Sequence, residues 1–412
     1  NTMSNLNSLA NVQQSTYTVN NLVTDSIHNN IDVFQRPILG NRDQRLEVRD
    51  VSANAKDSGK IEMVKLGESE NIMPSNTDTT MLKYEKEVWA NYIHSKRTID
   101  GMETGKFLQQ DSTSQYNGIT TGIDLWNSTH GFGGIALTAV DGKTNASQTA
   151  SSIKNETEYK GVSIYNRYDT KNIAILTDLT YTHSDHDIKM STRGTEDITA
   201  KPKTDAYSVG VKIEQPIATS KNSEIAPYIG ARYTKIHTKD YKTSLDLQYD
   251  IDSQNIFNIP IGIAWRNQNQ TGNGWKIGEV LETGYVWNLG NRDSNQHLSY
   301  GGINDNIGFA MADKGEYFAR MALQASHKDT DFEVGYKFTK GNTVKDSQWN
   351  FNVNYSFGNS KGLPYKSVLL GKIDLLEAAN KELRAENNGL KTENVELKAE
   401  VEKLKQLLAS KQ

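Results

Sequence analysis

Apolar side chains recur at every second position in about twelve segments between Val88 and Phe357, and polar turns separate these segments. Clear examples are Ile119–Leu125, Ile173–Tyr181, Tyr207–Ile213, Ile229–Tyr233, Ile259–Trp265, Leu281–Trp287, Tyr317–Leu323, Phe332–Phe338 and Trp349–Phe357. A period of two places all the apolar side chains on one face of an extended strand. The pattern therefore predicts an all-β unit of about twelve antiparallel strands, each with one apolar and one polar face.

The hydropathy of the chain favours a membrane barrel over a soluble sandwich. Only 36% of the 412 residues are hydrophobic, the mean hydropathy is −0.66, and no run of about eighteen apolar residues offers a membrane helix. Strands can cross a bilayer only as a closed barrel, whose polar lumen face keeps the average hydropathy low. Aromatic residues also recur at strand ends, as expected of girdles at the two membrane interfaces: Trp89, Tyr92, Trp126, Tyr168, Tyr181, Tyr233, Trp265, Tyr285, Trp287 and Tyr336.

The last predicted strand has a large apolar face and a small polar face. The first face holds Trp349, Phe351, Val353, Tyr355 and Phe357, and the second holds Asn350, Asn352, Asn354 and Ser356. These are the expected lipid and lumen faces. The final Tyr355-Ser356-Phe357 resembles the aromatic signal by which bacterial barrels are recognised for assembly. We therefore expect the five large residues to act as that signal, with the barrel-assembly machinery as a partner.

Four stretches in order resemble the translocator domain of the type V autotransporters. They are Val88–Ile93 followed by Asp100-Gly101, then Tyr116–Ile119 with Gly122–Asp124, then Ala226–Tyr228, and finally the last strand. The resemblance covers about 270 residues. It implies a twelve-stranded outer-membrane barrel, an N-terminal helix in the pore and a passenger exported to the bacterial cell surface.

The resemblance and the local patterns divide the chain into four parts. Residues 1–35 have a narrow apolar stripe at helical spacing, 36–80 read as a linker, 81–357 form the predicted barrel, and 358–412 follow it. Residues 1–35 could supply the pore helix. About fifty residues separate Phe34 from Val88, so a nearer segment at Thr79–Lys86 could supply it instead, with 1–35 a passenger remnant. The start at Asn1 suggests a mature or truncated chain whose signal peptide has been removed.

Some members of the resembled family cut their own passenger at an Asn–Asn pair in the pore helix. Val19-Asn20-Asn21-Leu22 is similar to such a site, and Asn29-Asn30 is a second pair. An asparagine amide can cyclise onto its own carbonyl when an acid polarises that carbonyl and water is restrained. The chain is rich in asparagine, so a plain polar helix is the favoured interpretation, with Asn20 and Asn21 as a weak candidate cleavage pair.

A heptad repeat follows the barrel. Leucines recur at one seam position and mixed residues at the other: Ile373, Leu376, Asn380, Leu383, Asn387, Leu390, Asn394, Leu397, Val401, Leu404 and Leu408. Glutamates at 386, 393 and 400 flank one side of this seam, and Lys391, Lys398 and Lys405 flank the other. A parallel pair sets each Glu against a Lys, whereas an antiparallel pair sets like charges together. We expect a parallel coiled coil, with a solvated single helix as the alternative.

An even strand count returns the C-terminus to the side where the first strand begins. The coil is therefore expected in the periplasm, where it would link barrels pairwise or reach toward the cell wall.

No enzyme motif stands out. The chain lacks cysteine and the phosphate-loop, HExxH and GxSxG motifs, and the His183–Asp187 cluster reads as an exposed loop rather than a metal site. We expect no catalytic residue, cofactor or metal, and the net charge of −4 gives no sign of nucleic-acid binding. Two alternative functions remain. The first is a porin or solute channel with a periplasmic oligomerisation helix, for which residues 1–80 would leave the lumen open. The second is an outer-membrane phospholipase, for which no suitable Ser–His pair is seen.

Overall fold

A computed structural model describes three stretches of the chain. They are residues 11–33, 86–357 and 381–405, with gaps at 105–107, 129, 149–150, 171, 221, 272–274, 291–292, 328, 382–383, 386, 402 and 404. Residues 11–33 and 86–357 belong to one compact unit, and residues 381–405 belong to a second unit that is described separately. The predicted linker at 36–80 lies outside the described residues.

One helix and eighteen strands make up the described part of the first unit. The elements are α1 Asn11–Val33, β1 Lys86–Thr104, β2 Leu108–Asn127, β3 Gly131–Gln148, β4 Ser151–Asp169, β5 Ala174–Thr192, β6 Ile198–Ala200, β7 Lys203–Glu214, β8 Ile217–Ala218, β9 Ser223–Thr238, β10 Tyr241–Lys242, β11 Gln248–Ile251, β12 Gln254–Gln270, β13 Trp275–Gly290, β14 Asp293–Tyr300, β15 Ile303–Ala310, β16 Gly315–His327, β17 Thr330–Lys340 and β18 Val344–Phe357.

Twelve long antiparallel strands form a closed barrel, in the order β1, β2, β3, β4, β5, β7, β9, β12, β13, β16, β17 and β18. The last strand returns to the first, with β18 paired to β1 from Lys86↔Phe357 to Ile99↔Val344. Closure gives every barrel strand two neighbours, so no sheet edge is left unpaired in lipid. The predicted barrel of about twelve strands is confirmed.

The two ends of the barrel differ. The proximal end is the one where β1 begins and β18 ends, and the connections there include the short turns 170–173 and 328–329. The distal end carries the longer connections 193–202, 239–253 and 291–314, which contain β6, β10, β11, β14 and β15. Several of these short strands join one another or the wall, because β11 pairs with β14 and β15 pairs with the end of β1.

The outward side chains form an apolar band in the proximal part of the wall. Leu137, Leu179 and Leu323 are among its members, with 60%, 55% and 65% of their surface exposed. The predicted period-two faces are present, but Trp89 is not in a girdle. It is only 1% exposed, because Val88 and Ala90 occupy the outward positions of β1, and its indole N–H donates to the Tyr165 hydroxyl over 3.0 Å.

The apolar face changes side in the distal part of the wall. On β5 the outward series passes from Leu179 and Tyr181 to His183 and Asp185, while Ile188 further along is inward and buried. The loop predicted at His183–Asp187 is therefore wrong, since these residues continue the strand. The inward distal side chains form an apolar cluster with the start of α1: Val12, Ala146, Ile153, Ile188, Met190, Ile198, Ala200, Tyr241, Leu247, Tyr249, Ile251 and Leu298. Because an outward charged face requires water, the hydrocarbon ends near Tyr181 on this strand.

The second unit is helical over residues 387–401 and at the described positions on either side. Three residues of the predicted seam, Leu390, Leu397 and Val401, have 51%, 55% and 47% of their surface exposed in the single chain. The seam positions Ile373, Leu376, Asn380, Leu383, Leu404 and Leu408 lie outside the described residues. No helix in the described ranges is both long enough and apolar enough to span a membrane.

Candidate functional site

The lumen of the barrel holds α1. Val12, Thr16, Asn20 and Ile27, spaced along the helix, are all completely buried. The described helix in the pore is Asn11–Val33, within the predicted segment 1–35, whereas residues 79–85 of the other candidate segment lie outside the described residues. A lumen filled in this way contradicts the porin alternative, which required that residues 1–80 leave the pore open.

The sequence of α1 permits a helix without strongly favouring one. It contains neither glycine nor proline, but many of its residues are β-branched or asparagine, which have modest helix propensity. The hydroxyls of Thr16 and Thr18 donate to the carbonyl oxygens of Val12 and Gln14, each over 2.9 Å, so these polar groups are satisfied within the helix. Because propensity is modest, most of the stability of α1 comes from its packing in the lumen.

One face of α1 packs against an apolar part of the wall. The helix contributes Val19, Leu22, Val23 and Ile27 to one buried cluster. The wall contributes side chains from β1 to β5: Trp89, Ile93, Tyr116, Phe132, Ala136, Val140, Tyr159, Tyr165, Ala174 and Leu176. The narrow apolar stripe read from the sequence therefore matches an apolar strip of the lumen wall on β1 to β5.

Polar contacts fix the direction of α1. Near its start, the Gln13 and Gln14 side-chain amides donate to the carbonyl oxygens of Asp252 and Met311, at the distal end. Near its end, Asn30 accepts a 2.9 Å hydrogen bond from Asn352, five residues before the end of β18. A helix of 23 residues is about 35 Å long, enough to run most of the way through a bilayer. The chain thus enters α1 at the distal end and leaves it at the proximal end.

Two contacts that involve charged side chains tie the C-terminal half of α1 to the wall. His28 Nε2 lies 2.6 Å from Asp178 Oδ1, and the Arg232 guanidinium pairs with the same carboxylate. On the other side of the lumen, Lys337 Nζ donates to Asp25. Charge-assisted hydrogen bonds are the stronger class, so these two contacts hold the helix more firmly than neutral pairs would.

Further ion pairs link strands across the lumen wall. Arg167 Nη1 lies 3.1 Å from Glu214, which also pairs with Arg266 at 3.0 Å, while Arg320 lies 2.7 Å from Glu333. Charges away from bulk water need such partners. Sequence reasoning missed these residues, although charges at the polar positions of barrel strands were a readable signal of lumen-facing ion pairs.

Some inward aromatic rings lie over glycines of the adjacent strand. A Cβ at Gly122 would overlap the Trp89 indole, and a Cβ at Gly284 would lie 2.7 Å from the Phe318 ring. Glycine is needed at these two positions because a side chain would overlap the ring, and not because the backbone adopts an unusual conformation. The rings can therefore lie flat along the wall and leave the lumen free for α1.

The predicted cleavage pair sits in the middle of α1. Both amide atoms of Asn20 are buried and form no hydrogen bond to any described residue, so no described acid contacts them. Asn21 is partly buried and hydrogen-bonds to Tyr17, one turn earlier. The cluster at His183–Asp187 holds no metal-type group of three or more ligands within the described ranges. Ser184 and His186 face inward from it, and Thr16 contacts both.

The last strand has the orientation that its sequence predicts. Trp349, Phe351, Tyr355 and Phe357 are outward with 52%, 45%, 50% and 38% of their surface exposed, and Val353 is partly exposed. The inward residues Asn350, Asn352 and Asn354 are buried.

A closed antiparallel barrel with an apolar outer band and a polar lumen is an outer-membrane β-barrel. The family model described as autotransporter beta-domain matches residues 88–337, about three-fifths of the chain. The chain belongs to this autotransporter family. A search of curated proteins found no match.

Solved structures of autotransporter domains are similar to this chain. The transport unit of the autotransporter AIDA-I from Escherichia coli is 11% identical, with 76% of this chain and 99% of that chain covered and a TM-score of 0.51. The β-domain of the Bordetella autotransporter BrkA is 13% identical, covering 66% and 100%, with a TM-score of 0.49. The translocator domain of NalP from Neisseria meningitidis is 12% identical, covering 66% and 89%, with a TM-score of 0.48.

The function of the chain follows from its membership of this family. The chain is an outer-membrane translocator of type V secretion, which anchors an N-terminal passenger and exports it to the bacterial cell surface.

Proposed function

We propose that the polypeptide attached to the N-terminal side of α1 leaves the cell through this barrel, and that α1 stays in the lumen as the plug. The direction of α1 carries the proposal. Its first turn contacts the distal connections through Gln13 and Gln14, and its last turns contact Asp178 and Asn352 in the proximal part of the wall. A chain that crossed from the proximal side would end in this orientation.

The proximal end faces the periplasm in this proposal, and the distal end faces the outside. Bacterial barrels have short periplasmic turns and longer extracellular loops. The turns 170–173 and 328–329 are proximal, and the connections 239–253 and 291–314 are distal. β1 also begins, and β18 ends, at the proximal end.

An epitope placed before Asn1, in intact cells, tests the proposal. External protease should remove this tag, while a second tag after Gln412 should stay protected until the outer membrane is broken. The second tag is the matched control, because it shares the same chain and the same cells. Protection of both tags, together with increased permeability to small solutes, would favour a channel and overturn the proposal.

We propose that Trp349, Phe351, Val353, Tyr355 and Phe357 form the assembly signal read by the barrel-assembly machinery. Their outward, exposed positions leave them accessible before the barrel meets lipid. Phe357→Ser should reduce the amount of folded barrel in the membrane, whereas Phe332→Ser should not. Phe332 is an equally suitable lipid-facing control, with 37% of its surface exposed against 38% for Phe357. Equal losses would indicate a loss of lipid contact rather than of a signal.

We further propose that the C-terminal helix pairs in parallel with a second copy in the periplasm. The exposed seam residues Leu390, Leu397 and Val401 and the complementary charges beside them support this pairing. The chain has no cysteine, so a single cysteine reports cleanly. Leu397→Cys should form a disulfide-linked dimer of the full chain, while Val395→Cys, which lies away from the seam, should not. Cross-linking at neither position would rule out the parallel pair.

The Asn20–Asn21 pair has, in our proposal, a structural role and no catalytic one, and the domain acts without enzymatic chemistry. The buried side-chain amide of Asn20 has no hydrogen-bond partner in the described lumen, so no described acid or base is placed to activate it. Asn20→Ala should leave the mass of the α1-containing chain recovered from membranes unchanged. A shift from a short to a long chain on this substitution would establish self-cleavage.

A further inference from the structure

Three outward lysines lie together where the barrel closes. Lys345 on β18 is the cross-strand partner of Lys340 on β17 and of Thr98 on β1, and Lys96 lies two residues before Thr98, opposite Ser347. The side chains of Lys96, Lys340 and Lys345 are all exposed. We call these three residues the seam patch, after the closure of the barrel between β18 and β1, which is distinct from the heptad seam of the C-terminal helix. Adjacent strands are about 5 Å apart, so the patch is about 10 Å wide.

The charge of the seam patch is only partly neutralised. Lys345 pairs with Asp100 at 3.3 Å, and in the described structure neither Lys96 nor Lys340 has a carboxylate within ion-pair distance. Lys340 and Lys345 are directly opposite each other, and like charges in such a pair destabilise a sheet. An anion placed between them would remove this repulsion.

Other outward lysines, on β3 and β4, are paired. Lys154 and Lys143 lie 2.6 and 3.9 Å from Glu156, and Lys160 lies 3.9 Å from Glu158. Each of these three lysines therefore has a carboxylate within ion-pair distance. The comparison makes the seam patch a local excess of positive charge rather than a general property of the distal wall.

The seam patch lies just beyond the apolar band. Trp349 and Tyr336, with ring centroids 4.8 Å apart, lie near the distal edge of the band beside the β1–β18 closure, and the outward Phe338, 39% exposed, is the last apolar residue before Lys340 on β17. Lys345 and Lys340 are four residues from these rings along their strands, toward the distal end. At about 3.3 Å per residue and a tilt near 40°, that places them roughly 10 Å beyond the girdle, and Lys96 roughly 5 Å beyond it. This is the depth of lipid headgroups and their phosphates.

We propose that the seam patch binds a phosphorylated glycolipid of the leaflet at the distal end. Lysine ammonium groups suit phosphate as point charges. The outward Gln115 and Ser347 beside Lys96 offer hydrogen bonds to sugar hydroxyls, and the apolar face below, with Trp349 and Phe351, suits acyl chains. That this leaflet is the outer one rests on the orientation proposed above, but the binding itself does not.

Native mass spectrometry of the purified full chain in a neutral detergent tests the proposal. Titration with a bis-phosphorylated acylated disaccharide should give a defined one-to-one complex. Lys96→Gln with Lys340→Gln and Lys345→Gln should weaken it by about a hundredfold, since each lysine near a phosphate surface contributes about 1 kcal/mol, or about fivefold. The matched control changes Lys143, Lys154 and Lys160 to Gln, with the same loss of charge, and should alter binding by less than about threefold. Heat-resistant migration in gels confirms that each variant is folded.

Several results would overturn the proposal. Equal weakening by the two triple variants would mean unspecific attraction to a positive protein, and no weakening by the seam variant would remove the site. Equal binding of the dephosphorylated disaccharide would exclude phosphate recognition. Equal binding of phosphatidylglycerol would reduce the site to a general anionic-lipid contact, and displacement by millimolar inorganic phosphate would make it an ion site. A failed export assay with intact glycolipid binding would refute the proposed function and leave the seam patch in place.

Discussion

The ion pair between Lys337 of β17 and Asp25 of α1 should control how tightly the plug is held. The side chain of Lys337 is 18% exposed and that of Asp25 is 39% exposed, so the contact is partly screened by water. A charge-assisted hydrogen bond in such a setting contributes about 1.5 kcal/mol, toward the lower end of its usual range. Lys337→Met keeps the packing of the side chain over the Phe318 ring but removes the charge. It should therefore raise the fraction of open pores roughly tenfold.

Conductance of the purified chain in planar bilayers measures this fraction directly. Lys340→Met is the matched control, because it removes the same charge from the outward face of the same strand and should leave the conductance unchanged. Asp25→Asn should act like Lys337→Met, and the double variant should be no more open than either single variant, since both break one interaction. The role assigned to this pair would be refuted if Lys337→Met conducted like the wild type, or if the effects of the two substitutions were fully additive in the double variant.

Three further predictions concern the wall and the distal end. Gly122→Val should lower the free energy of unfolding by about 1–3 kcal/mol in urea titrations, because its side chain overlaps the Trp89 indole, while Thr121→Val on the lipid face should have little effect; equal stability of the two variants would contradict the close packing. Leu137→Arg should cost about 2–4 kcal/mol in lipid, and Asn145→Arg, on the outward distal part of the same strand, close to nothing; similar costs would misplace the apolar band. The hydrogen bond from His297 to Asn306, together with the nearby Asp252, raises the pKa of His297 above its usual 6.5. A raised pKa stabilises the folded state below about pH 6.5, and this contribution is lost as the pH rises through the raised value. Amide exchange in β14, corrected for its intrinsic pH dependence, should therefore be faster at about pH 8 than at about pH 6, and His297→Gln should remove the difference; a difference that persists in this variant would exclude the histidine as its source.

The period-two pattern predicted the barrel because contact with lipid requires an apolar side chain at every second position of each strand. It identified the outward series of the last strand and of β5 from Ile175 to Tyr181. The pattern did not reveal where along each strand the contact with lipid ends. Beyond Tyr181 the outside of the wall is in water, so the apolar face turns inward, and His183 was assigned to a loop although it continues the strand.

Trp89 shows the same limitation at a single residue. A tryptophan at a strand end resembles a girdle residue, yet the phase set by Val88 and Ala90 points it inward, where it contacts Tyr165 and covers Gly122. The face of the wall on which Trp89 lies can be read from its neighbours in the sequence, but Gly122, which its ring covers, lies on the next strand. Pairing across strands depends on register, which periodicity leaves open.

The plug was harder to predict than the wall because its contacts are polar and distant in sequence. Asn30 meets Asn352, and Asp25 meets Lys337, across more than three hundred residues. Hydrophobic periodicity reports only the apolar strip around Val19 and Val23 and none of these polar contacts. The choice between residues 1–35 and the segment near Lys86 therefore depended on long-range pairing that the sequence alone does not contain.

The composition of α1 also explains how one segment can pass through a pore and then close it. A strongly apolar segment would resist a water-filled lumen, and a strongly charged one would leave unpaired charges inside it. α1 has a narrow apolar strip and many uncharged polar residues, with Asp25 and His28 each opposite a fixed partner in the wall. Each polar contact contributes only about 1–1.5 kcal/mol, so contacts made out of register during the proposed transit are weak. Only in the final register do the apolar strip, Asp25 and His28 all meet their partners at once, and this coincidence selects the position at which α1 stops.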